Sequence, residues 1–68
     1  MKGKLVQVPI RLIDIHSDVK DVVEQLFRRY AENEDLDKLG RLARAYHDFT
    51  EALQNLQKAT EKLVEVIE

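Results

Sequence analysis

The sequence of 68 residues contains no cysteine, so neither a disulfide nor a thiolate-bound metal can staple it. No apolar run approaches the roughly 20 residues needed to span a bilayer, and no signal-peptide pattern opens the chain. Cytoplasmic residence, with no membrane partner, is the expectation. Nucleotide-binding, catalytic and metal-site signatures are also missing, so neither an enzyme nor a cofactor nor a small-molecule substrate is expected. A chain this short builds only a small core. Lacking a staple, it needs a partner.

What is present points to helix. Hydrophobic residues make up 44% of the chain and charged residues 35%, which fits a folded, helix-rich protein. The net charge of −2 is uneven: residues 1–31 hold six Lys/Arg against four Asp/Glu, residues 32–68 five against nine. An excess of two positive charges at one end is a weak field for steering an anion or a nucleic acid, and ordinary surface charge explains it.

The organising stretch is the C-terminal half. Leu39, Leu42, Tyr46, Phe49, Leu53, Leu56, Thr60, Leu63 and Ile67 follow alternating steps of three and four, the period of a helix that keeps one seam against a partner. One helix is expected over 36–67. Asp48 and Glu51 resemble a capping box, but the seam passes through Tyr46 and Phe49 unbroken. Gly40 lowers its stability without stopping it. Beside the seam run Lys38, Ala45, Ala52, Ala59 and Val66 on one flank, and Ala43, Thr50, Gln57 and Val64 on the other. Small and apolar flanks suit a helical bundle better than a two-stranded zipper.

An earlier helix is expected over 18–31, with Ser17 as its N-cap and Val19, Val22, Val23, Leu26, Phe27, Tyr30 and Ala31 as its apolar stripe. Asn33, Glu34 and Asp35 form a short polar connector, which implies an antiparallel helical hairpin capped by Asn33 or Asp35. Residues 1–4 read as a basic arm. From Leu5 to Ile13 the pattern alternates, with Val6, Val8, Ile10 and Leu12 on one face of a strand. Pro9 keeps that strand from being paired on both sides, and no second strand is found, so pairing with the same strand of another chain is expected.

On these lengths the first helix, at about 21 Å, covers less than half of the second, at about 48 Å. The distal leucines would then lie in water as an apolar stripe, and a second copy would cover it. Spacings of four pair Glu34 with Lys38, Asp37 with Arg41 and Arg44 with Asp48 on the solvated face.

Chemistry-bearing residues are sparse. Asp14, His16 and Asp18 would share a side if extended, as metal ligands could, but a junction rich in capping residues accounts for them. His47 lies beside Asp48 with no nucleophile or pocket in view. Tyr30, Tyr46 and Phe49 fall on apolar stripes and read as packing. Glu24, Glu51, Glu61 and Glu65 lie off the seam, and no inward Glu-x-x-His accompanies them.

The order basic arm, strand, helix, helix from Lys2 to about Arg44 resembles the ribbon-helix-helix family of DNA-binding dimers. That resemblance implies a two-chain ribbon in the major groove, with Lys4, Gln7 and Arg11 facing the bases. The chain departs from the family in its connector, in Pro9, in the length of its second helix and in its acidic balance.

The expected protein is therefore one mainly α domain. It has an N-terminal β-strand (5–13) and an antiparallel hairpin of helices 18–31 and 36–67, dimerising into a helical bundle with an intersubunit strand pair. The expected oligomer interface comprises Val6, Val8, Ile10, Leu12, Tyr46, Phe49, Leu53, Leu56, Leu63 and Ile67. The expected role is a non-catalytic, homo-oligomeric interaction or regulatory module, a homodimer or a higher even oligomer, that binds a macromolecular partner, foremost a protein. A DNA-binding regulator using the strand is the alternative, and docking of the apolar half of helix two on a different protein is a third reading.

Overall fold

The computed structural model describes residues 2–67, which form two helices, α1 (Lys2–Glu32) and α2 (Leu36–Ile67). They pack along their lengths as an antiparallel hairpin, a rod of 52 × 16 × 9 Å. The second helix begins and ends where its heptad pattern does. The first does not.

Residues 5–13 are helical, which corrects the expected strand. The cause lies in the sequence: Leu5, Val6, Val8, Ile10, Leu12 and Ile13 are so densely apolar that they satisfy two periods at once. Besides alternating, Leu5, Pro9 and Leu12 continue the four-three spacing of His16, Val19, Val23, Leu26 and Tyr30. All eight of these residues are half-buried on the side of α1 that meets α2. A helix continued over the whole segment satisfies most of its backbone groups within one chain, whereas a lone strand would satisfy none. Pro9 is retained inside the helix, at the expense of one hydrogen bond to the Leu5 carbonyl. Ser17 is accordingly a mid-helix residue and caps nothing. The basic arm is helical from Lys2 onward, and Met1 lies outside the described residues.

The length argument changes with it. With 31 and 32 residues, the helices are of nearly equal extent, so α1 spans α2 rather than covering less than half of it.

The turn between them is tightly specified. Glu34 adopts a left-handed φ of 55°. The amide of Asp35 donates to the Tyr30 carbonyl at 2.9 Å and that of Glu34 to the Ala31 carbonyl at 3.1 Å, the paired bonds of a Schellman C-cap. Asp35 then caps α2, its Oδ1 accepting from the Lys38 amide at 3.2 Å. Of the two expected caps, the structure uses Asp35.

Candidate assembly surface

A two-helix hairpin has one line of contact, and here it buries little. Among the described residues only Thr60 is buried, at 5% exposure, and no hydrophobic side chain is. The Thr60 hydroxyl donates to the Leu56 carbonyl at 2.8 Å, so its polar atom is satisfied within its own helix. Eleven large apolar residues remain exposed, among them Ile15, Val22, Leu56 at 51%, Leu63 at 55% and Val66 at 84%.

The proximal and distal halves of α2 meet α1 differently. Leu39, Leu42, Tyr46, Phe49 and Leu53 are half-buried, as the seam requires. Beyond them Thr60 and Val64 turn toward α1 while Leu56, Leu63 and Ile67 turn outward. The expected interface set is thus divided. Leu12, Tyr46, Phe49 and Leu53 are half-buried on the hairpin's own seam, Val8 is half-buried beside it, and Val6, Ile10, Leu56, Leu63 and Ile67 are exposed.

The two sides of the seam differ in chemistry. On one side lies an open groove of about 240 Å³, lined by Pro9, Ile13 and His16 of α1 and by Thr50, Leu53 and Gln57 of α2. This places the column after the seam on both helices on the same side. The column before the seam on each helix therefore lies on the other side. There, Val8, Ile15 and Val22 of α1 stand beside Ala45, Ala52, Ala59 and Val66 of α2, with Leu56 and Leu63 next to them. These two columns carry charge only at the loop end, at Arg29 and Lys38.

The polar contacts are local. Arg41 meets Asp37 at 3.2 Å as its spacing implies. Lys38 turns to Asp35 at 3.7 Å instead of Glu34, and its ammonium lies 5.6 Å from the centre of the Tyr30 ring. Arg44 Nε donates to the Gly40 carbonyl at 3.4 Å. His47 is exposed and sits 3.8 Å from Glu51, one helical turn on. These exposed pairs contribute little stability.

Asp14, His16 and Asp18 do not converge, because residues two apart on a helix point about 200° apart. Among the described residues no three His, Asp or Glu side chains are placed to hold a metal ion. His16 instead enters the seam, a role the sequence reading missed. It packs against both Tyr46 and Phe49, with ring centroids at 6.2 and 6.4 Å. The signal was its place in the four-three spacing, hidden while the preceding segment was read as strand.

Lys4, Gln7 and Arg11 share an exposed helical face with Asp14 and Asp18. No ribbon is formed by residues 5–13, so the geometry through which those three would read bases is missing from this fold. No described helix is long and apolar enough to cross a membrane. No protein-family model, curated protein or solved structure matches the chain.

Proposed function

We propose that this chain is a non-catalytic assembly module. Hairpins pair through their apolar sides into a four-helix homodimer, and the assembled surface binds a macromolecular partner. The observation that supports this reading is the combination of eleven exposed large apolar residues with no buried one among the described residues. The surface area points the same way. A folded protein of 8.0 kDa normally exposes about 4,500 Å², whereas this hairpin exposes 5701 Å². Two hairpins that closed to the surface typical of their joint mass would together lose about 4,000 Å². Such an area falls in the range of obligate homodimers.

The test is mass in solution. Sedimentation equilibrium should give twice the chain mass over a wide concentration range. Leu56→Glu, which places a charge in the apolar side, should give monomer or unfolded chain. A folded wild-type chain sedimenting at 8.0 kDa would defeat the proposal.

A further inference from the structure

Resting on the homodimer reading, the inference concerns which face the second copy covers and which way round it lies. We infer that it docks on the side bearing Ile15, Val22, Ala52, Leu56 and Leu63, with its loop at the opposite end of the rod, so that α1 lies on the partner's α1 and α2 on the partner's α2.

The choice of face follows from charge. On the grooved side the column flanking the seam carries Lys20 between Ile13 and Phe27 on α1, with Thr50 and Gln57 on α2. The opposite side is uncharged from Val22 to Val8 on α1 and from Ala45 to Val66 on α2. On that side a second copy covers two columns that are uncharged beyond the loop end, and the ionised groups stand at the rim, where they keep contact with water.

The orientation follows from the charges on its rim. A two-fold interface between hairpins allows two arrangements in which every neighbouring pair of helices is antiparallel. With the loops at the same end, α1 faces the partner's α2. Residues then meet at the level they occupy in the hairpin itself, where Tyr30 stands by Lys38 and His16 by Phe49. The rim column of α1 would then set Lys4 against the partner's Lys62 and Asp18 against the partner's Asp48. At the loop end Arg29 would meet the partner's Lys38. Each like-charge pair occurs twice by symmetry.

With the loops at opposite ends, each helix meets its own copy. One axis serves both helices, so with Ala52 on it α1 turns about the level of Ile15. Lys4 then faces the partner's Gln25 and Arg11 the partner's Asp18, an opposite-charge pair made twice, while Asp48 faces the partner's Asn55. Like charges remain only where Arg41, already bound to Asp37 at 3.2 Å, approaches the partner's Lys62. Rim charges of this kind act mainly to select between otherwise similar docking modes. Both arrangements bury Ile15 and Val22, so apolar area does not choose between them. The rim charges do.

In the inferred arrangement Ala52, at the midpoint of α2, lies next to its own copy across the two-fold axis. In the alternative it lies against the partner's Ile15, and the two copies of α2 are diagonal and out of disulfide reach. Because the chain has no cysteine, single Ala52→Cys and Ile15→Cys variants report on this directly. Each is first confirmed as dimeric under reduction by sedimentation, then oxidised in a glutathione buffer, alone and as an equimolar mixture. The expected result is an Ala52→Cys chain that cross-links to itself, with no preference for Ile15→Cys in the mixture. Mixed Ile15–Ala52 disulfides in a dimeric sample would overturn the orientation and leave the dimer reading standing. A dimer that cross-links at neither position would overturn the choice of face. Monomers under reduction, with wild type also monomeric, would remove the underlying dimer reading itself.

Discussion

His16 Nε2 lies 3.0 Å from the Tyr46 hydroxyl, a polar pair set in the seam between α1 and α2 where the spacing would accept two leucines. The rings also stack, 20° from parallel, and Phe49 stacks on Tyr46 at the same angle. A polar pair in an apolar seam gives little net stability, but only one alignment of the helices can form it.

Two substitutions separate those roles. Tyr46→Phe keeps the rings and removes the hydroxyl, so it should lower stability by about 1 kcal/mol. His16→Leu adds apolar burial and should hold or raise the thermal midpoint while loosening the register, seen as broadened or doubled amide peaks for residues 46–53. A sharp single set of peaks from His16→Leu would mean that the pair does not set the alignment.

Gly40 offers a simpler gain. It sits inside α2 with ordinary helical backbone, and a Cβ there would meet only the far end of the Arg44 side chain, at 3.9 Å. Gly40→Ala should therefore stabilise the helix by about 1 kcal/mol. For a domain of this size that corresponds to a rise in thermal midpoint of about 4–8 °C, measurable by circular dichroism. A fall would show that Gly40 is needed for close approach of another chain.

The connector gives the opposite case, a residue whose side chain is the wrong one for its backbone. Glu34 holds φ at 55°, a region that costs a non-glycine residue about 1 kcal/mol or more. Glu34→Gly should recover about that amount, since the Schellman bonds at Glu34 and Asp35 are made by backbone alone. Urea unfolding would register it as a higher midpoint with an unchanged slope.

These positions mark how far the sequence could be read. The connector, the Asp35 cap and the full extent of α2 were legible because polar turn residues and a heptad pattern point to one answer there. Residues 5–13 were not, because β-branched residues and strict alternation favoured a strand and Pro9 argued against a helix interior. What decided between the readings was a partner surface, the face of α2, which acts at long range and leaves no local mark. The exposed apolar side was legible in part. The spacing marks Leu56 and Leu63 as interface residues and Val22 as part of the apolar stripe of helix 18–31, whereas Ile15 lies before the residue at which that helix is expected to start.

Pro9 supplies the sharpest check on the helical state of residues 5–13. Inside α1 it withholds an amide from the Leu5 carbonyl and crowds the turn before it, a penalty of about 3 kcal/mol in a helix interior. Its ring also lines the groove with Leu12, His16 and Leu53, and alanine would give up about 1 kcal/mol of that apolar contact. Pro9→Ala should therefore stabilise the protein by about 2 kcal/mol. It should also slow amide exchange over residues 5–9, the turn that the proline now leaves open. Were residues 5–13 extended in solution, the same substitution would restore no helical hydrogen bond. Exchange there would stay fast, and the ellipticity at 222 nm would fall well short of two full-length helices.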